Sequence, residues 1–213
     1  MKTSLIILIA AIVGAGNGCS LPERSRNVGD PSIDGKVLAV QVCASCHGVD
    51  GNAKSPNFPR LAGQKEKYFI AQMNGFKNHN RSDPAGFEYM WGISRSLTET
   101  QIKDLATYFA RQVPVTVKAS PGPENQDGKN IYETGIAAKS VPACSGCHGA
   151  IGEGMGAFPR IGAQHADYLV KQLQIFQRTN ERPEGVIMKQ ITHLLSAQEI
   201  AAVAAYVENL PVR

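Results

Sequence analysis

The sequence predicts an all-α fold of two tandem, related domains, and three observations carry that prediction. The pentapeptide Cys43-Ala44-Ser45-Cys46-His47 returns as Cys144-Ser145-Gly146-Cys147-His148. Downstream, Phe58-Pro59-Arg60-Leu61-Ala62-Gly63-Gln64 matches Phe158-Pro159-Arg160-Ile161-Gly162-Ala163-Gln164 at an offset of 100 residues, an internal duplication within one chain. The matched segments then carry apolar residues at helical spacing, closed in each half by a capping-box pattern. A chain of 213 residues allows one or two domains, and the duplication selects two. With 43% hydrophobic and 19% charged residues, the composition is that of an ordinary soluble globular protein.

Cys-x-x-Cys-His is the attachment signature of c-type haem. On a helical turn Cys43 and Cys46 lie at i and i+3, so both sulfurs face one side, where they can add to the two haem vinyl groups. His47 then presents an imidazole to the iron, and Cys144, Cys147 and His148 repeat the arrangement. A lone Cys-x-x-Cys is equally compatible with a disulfide, a redox dithiol or half of a zinc site. A histidine directly after both copies argues against these, and the other histidines, His79, His165 and His193, share no spacing between the halves that would complete two zinc sites. Two covalently bound haem c groups are therefore expected. Each half has only about 80 to 90 residues, a size at which a core of side chains alone is marginal, so the apolar macrocycle should complete it.

Residues 1–18 read as a secretory leader, with Lys2 as the positive n-region and Leu5 to Ala15 as an uncharged apolar stretch too short for an ordinary bilayer span. Export suits c-type haem, which is attached outside the bacterial cytoplasm. Cys19, the fifth cysteine, stands where the leader should end. The preceding Gly18 fits a lipobox, whereas Gly16 replaces its usual Leu, so a lipid anchor and ordinary cleavage are both open. Residues 19–33 read as a flexible tether. The formal charge of +4 includes Lys2. Four haem propionates would neutralise the mature chain, which leaves nucleic-acid binding without support. Residues 19–112 hold 12 basic and 9 acidic side chains and residues 113–213 hold 9 of each, a modest dipole.

The N-terminal domain, residues 34–112, should open with Asp34 as N-cap of a short helix whose apolar positions are Val37, Leu38, Val40 and Val42. A Gly- and Pro-bearing loop to Pro59 should wrap the cofactor. Tyr68, Phe69, Gln72, Met73 and Phe76 predict an amphipathic helix, matched by Tyr168, Leu169, Gln172, Leu173 and Phe176. Thr98-x-x-Gln101 and Ser196-x-x-Glu199 open the closing helices. Residues 113–126 read as an extended linker, and residues 127–213 as the C-terminal domain. Gly128 to Cys144 is eight residues longer than Gly35 to Cys43, which predicts an extra loop around Gly135 to Pro142.

Met90 and Met188 occupy equivalent places, each seven residues before the Leu (Leu97, Leu195) that precedes a capping box, and are the expected sixth ligands. A thioether favours reduced iron and closes the last coordination position, which suits electron transfer better than substrate chemistry. Met73 aligns with Leu173 and reads as core, and Met155 lies in a Gly-rich loop. Pro59 and Pro159 follow their haem histidines by 12 and 11 residues, either as turn prolines or as carbonyl partners of the imidazoles. Arg60 and Arg160 are expected to meet haem propionates or to be solvated.

On these residues the chain resembles the cytochrome c4 family, dihaem proteins made of two fused class I cytochrome c domains, over roughly Asp34 to Arg213. The resemblance implies a periplasmic electron carrier between respiratory complexes, often at the membrane. Its donor would be a quinol-oxidising complex, a copper protein or a dehydrogenase, and its acceptor a terminal oxidase. The rivals are the electron-accepting subunit of a periplasmic dehydrogenase or sulfur-oxidising enzyme, a dihaem peroxidase, and a haem-based gas sensor. The last two need an open or displaceable iron position. No catalytic residue is expected.

Overall fold

The computed structural model describes residues 28–84, 86–116 and 123–212. The leader, Cys19 and the tether up to residue 27 lie outside the described residues. Every regular element among the described residues is helical, apart from one isolated bridge between Ile136 and Val141.

In the N-terminal domain Asp34 caps α1 (Gly35–Leu38), its Oδ1 accepting from Lys36 N at 2.6 Å. A π-helical turn, Ala39–Cys43, runs on into α2 (Ala44–His47), which ends at Gly48 with φ +79°. The buried stripe is Gly35, Leu38 and Ala39, at i, i+3 and i+4. That register leaves Val37 and Val40 41% and 43% exposed, so they do not join the core as expected. α3 (Glu66–Lys77) follows, then a second π-helical turn, Gly86–Met90, that feeds α4 (Trp91–Ser94), and last α5 (Glu99–Ala110). The core joins Leu38, Phe69, Met73, Phe76, Leu97, Ile102, Leu105 and Phe109.

Two expectations for this half need correction. The end of the supposed tether, residues 28–33, is folded on α5. Gln101 caps Thr98 with its amide oxygen, and its buried Nε2 donates to Asp30 O at 2.8 Å and to Ile33 O at 3.2 Å. Val28 and Ile33 pack on the same core. The buried amide needs acceptors, and this stretch of backbone supplies them. The expected linker is also shorter than 113–126, because α6 (Pro123–Thr134) already begins at Pro123. Its opening residues are pinned as well, with Asn52 bonded to Val113 O and Val115 N, both at 3.0 Å.

The C-terminal domain continues through α7 (Ser145–His148), α8 (Ala166–Arg178), α9 (Val186–Thr192) and α10 (Ala197–Glu208). The added segment forms a closed loop. Ile136 and Val141 exchange both backbone hydrogen bonds around a 3-10 turn, Ala137–Lys139, and Lys139 pairs with Glu199 at 2.7 Å. Val141, 3% exposed, contributes to a small core with Leu195 and Ile200, while Ile131, Tyr132, Val203, Val207 and Leu210 form another. Both capping boxes are formed.

In each domain the first and last helices cross at a glycine. A Cβ on Gly35 would lie 2.3 Å from Asp104 Cβ, and one on Gly128 would lie 2.1 Å from Ala202 O. Only hydrogen fits at those crossings.

The domains meet through reciprocal contacts related by an approximate twofold. Gln164 accepts from Arg60 N and Gln64 accepts from Arg160 N, both at 2.8 Å, and each glutamine amide donates back to the same arginine's carbonyl at 3.0 Å. A second layer is built from Arg81 and Arg182. Arg81 donates to Gln72 at 2.6 Å and Gln172 at 3.2 Å, while Arg182 donates to both glutamines and to the Tyr68 hydroxyl. Asp83, fully buried, pairs with Arg81 at 2.7 Å.

Candidate functional site

The site in each domain is assembled by the helix carrying the pentapeptide and by the loop that follows it. His47 and His148 end short helices and are both 7% exposed. His47 Nδ1 lies 2.9 Å from Pro59 O, and His148 Nδ1 lies 3.0 Å from Pro159 O. A carbonyl oxygen only accepts, so Nδ1 carries the proton in both rings and Nε2 keeps its lone pair. Burial pulls both imidazoles below their ordinary pKa, with the proline carbonyls opposing. The neutral ring is the form that ligates a metal.

The four motif cysteines are half-buried and joined in no disulfide. Burial pushes the Cys43 and Cys144 thiols up to about 11, so a thiolate is disfavoured there. A thioether carries no charge and incurs no such penalty. The donor set therefore fits covalent haem: two sulfurs without a competing disulfide, and a nearby imidazole already oriented with Nε2 free. When bound, the haem supplies one-electron chemistry at iron.

Phe58 meets the His47 ring edge-on with centroids 6.0 Å apart, and Tyr89 meets Phe58 at 6.4 Å. This chain of rings ties the π-helical turn that holds Met90 to the motif histidine. Met90 is half-buried against the first core. In the second half Phe158 contacts His148 at 6.5 Å, and Met188 is half-buried in α9, where its carbonyl accepts from Thr192 Oγ1 at 2.8 Å. Met73 is 5% exposed and belongs to the core, whereas Met155 is 47% exposed.

Arg60 and Arg160, expected to meet haem propionates or to be solvated, stand at the domain boundary. Arg60 Nη1 donates to Ala163 O of the other domain, and Arg160 is 7% exposed with Nη2 lacking any partner.

Sequence reasoning missed several positioning residues. The loop after each haem motif is tied down by a tyrosine: Tyr108 of α5 donates to Val49 O at 2.7 Å, and Tyr132 of α6 to Gly149 O at 2.5 Å. These come from different helices, so alignment of the halves does not reveal them; Tyr206, the counterpart of Tyr108, bonds Glu133 instead. Arg81, Arg182 and the glutamines they hold were also missed. The signal was present in Gln72 and Gln172, duplicated polar residues among apolar positions of amphipathic helices.

The model of the Cytochrome c family matches residues 32–111 and 126–211. Cytochrome c4 of Azotobacter vinelandii is 40% identical over 179 residues, covering 79% of this chain and 84% of that protein. The thiosulfate dehydrogenase electron acceptor of Stutzerimonas stutzeri (strain A1501) is 31% identical over 185 residues, covering 81% and 80%. The crystal structure of reduced recombinant cytochrome c4 from Pseudomonas stutzeri superposes with a TM-score of 0.75 at 36% identity, covering 83% of this chain and 97% of that one. The duplicated motif, the all-helical halves and these matches lead to one conclusion: the chain belongs to the cytochrome c4 family and is an electron carrier, not an enzyme, with two covalently attached haem c groups.

Proposed function

We propose that His47 with Met90, and His148 with Met188, are the axial pairs of the two irons. On this reading the chain carries electrons between respiratory-chain partners in the periplasm, from a quinol-oxidising complex, copper protein or dehydrogenase towards a terminal oxidase. The observation that carries it is the duplicated, buried imidazole held through Nδ1 by a proline carbonyl, with one equivalent methionine downstream in each half. Pro59 and Pro159 then fix ring orientation and strengthen the ligand. His47 with Met90 and His148 with Met188 would hold the two haems and leave no position for substrate, and the two domains, held face to face, would serve as one conduit with a donor at one end and an acceptor at the other.

Replacing Met90 or Met188 by Ala tests the ligand set: each variant should lose the sulfur-to-iron charge-transfer band of one haem and lower its potential. Retention of both bands in either variant refutes that assignment. Stopped-flow oxidation and reduction of the same variants tests the conduit, which fails if one haem alone sustains full transfer. A second reading, acceptor for a periplasmic thiosulfate dehydrogenase, draws support from the relative of that name. Reduction of the holoprotein by such an enzyme with thiosulfate would favour it. Membrane association through an acylated Cys19 is tested by intact mass of protein from its native host.

A further inference from the structure

We propose that Tyr132 is a positioning residue for the C-terminal haem alone: its hydroxyl, acting through the turn that follows His148, fixes the imidazole plane and holds that haem's potential up. With His148 as the axial ligand proposed above, the contacts form one short chain. Tyr132 of α6 is 0% exposed and donates to Gly149 O at 2.5 Å, and Gly152 N donates to the same carbonyl at 3.2 Å. Gly152 O in turn accepts from Ile161 N at 2.8 Å and from Gly162 N at 2.9 Å. Two residues before Ile161 stands Pro159, whose carbonyl holds His148 Nδ1. Tyr132 therefore braces the loop that orients the ring.

The first half has the same turn without that hydroxyl. Gly51 N donates to Gly48 O at 3.0 Å, and Gly51 O accepts from Leu61 N and Ala62 N. Counting from the crossing glycines, Gly35 and Gly128, the place of Tyr132 is taken by Ala39, also 0% exposed, whose methyl group has nothing to donate. Tyr108 reaches that loop from α5, but its solvated bond ends one residue further on, at Val49 O. Burial pushes the Tyr132 phenol well above its ordinary pKa, so the hydroxyl remains a donor. Its O–H dipole points its positive end at the peptide next to His148, where it opposes the charge gained on oxidation. Hydrogen bonds behind an axial ligand are a recognised lever on haem potential.

The test compares wild-type holoprotein with Tyr132→Phe, which removes one oxygen and keeps the ring. Haem-methyl proton resonances of the oxidised form, assigned to each domain through the thioether links, report the imidazole plane. The C-terminal set should change its spread while the N-terminal set keeps its own, and potentiometric titration should show the C-terminal haem alone shifted to lower potential. Lost thermal stability with both methyl sets and both potentials unchanged gives Tyr132 a packing role only and overturns the proposal; so do equal shifts in both haems. Wild type supplies a check that does not depend on the variant folding: in the reduced form the Tyr132 hydroxyl proton should exchange slowly with solvent, and exchange before the first spectrum overturns the proposal. Hyperfine-shifted ring protons of His148 in wild type test the ligand assignment separately, so its failure is told apart from that of Tyr132.

Discussion

Gly128→Ala should destabilise the C-terminal domain severely for a change of one methyl group. The added Cβ would lie 2.1 Å from Ala202 O, 2.7 Å from Ala202 C and 2.7 Å from Tyr206 Cβ. None of these is the end of a flexible side chain, so relief requires α6 and α10 to part by roughly 1 Å to reach ordinary contact. Parting them loosens Tyr132, Val203 and Val207, all nearly solvent-free. A gap of that size forfeits about a quarter to a half of each dispersion contact. Overpacking costs about 1–3 kcal/mol, and rigid backbone on the facing side puts this site at the upper end. Better helix propensity returns about 1 kcal/mol. The net loss is about 2 kcal/mol, or roughly 10 °C in the melting midpoint of a domain this size. Covalent haem stays attached, so thermal unfolding followed by circular dichroism and by haem absorbance reads the effect. Gly146→Ser is the control, since nothing lies within 4 Å of Gly146 and its counterpart is Ser45. Equal stability of Gly128→Ala and the control would refute the close-crossing argument.

Other outcomes follow from the same contacts. Gln164→Ala leaves the Arg60 N–H and carbonyl without their partners, so about 1–3 kcal/mol of interdomain stabilisation should be lost and urea unfolding should separate into two transitions. Ser196→Ala removes the cap of α10 and should cost about 1 kcal/mol in the C-terminal domain alone. The Glu199 carboxyl is held below its ordinary value, first by Lys139 and then by the Ser196 N–H. Its folded pKa is thus depressed, so its contribution is fully present above the usual glutamate range and lost as pH falls through the folded value. Because the pair is partly solvated, Glu199→Gln should flatten the acid limb of the stability curve by well under about 1 kcal/mol, measured by denaturant titration from neutral to acid pH.

The chemistry was local enough to be legible in the residues themselves. Two sulfurs and an imidazole within five positions, the proline that follows, and the cap of each closing helix depend on short-range geometry, and the duplication shows which residues share a role. The core positions of α3, α5, α8 and α10 followed from helical period because one face of each helix is buried. The short helix before the first haem was harder: with five apolar residues in six positions, Val37 to Val42, its buried face is ambiguous until the crossing at Gly35 sets the register. The tether failed for a related reason, since its backbone carbonyls are recruited by Gln101, some seventy residues away.

What the sequence alone determined is the unit: a helical domain closed on covalent haem, made twice. What only the tertiary structure decided is how the two units join. Arg60, Arg160, Arg81 and Arg182 look like ordinary surface cations in a linear sequence, and each could equally have met a propionate or water. Each has a partner about a hundred residues away in the other half, and no local period or propensity encodes that pairing. The amides and guanidiniums must satisfy one another because the packing of two domains removes them from water.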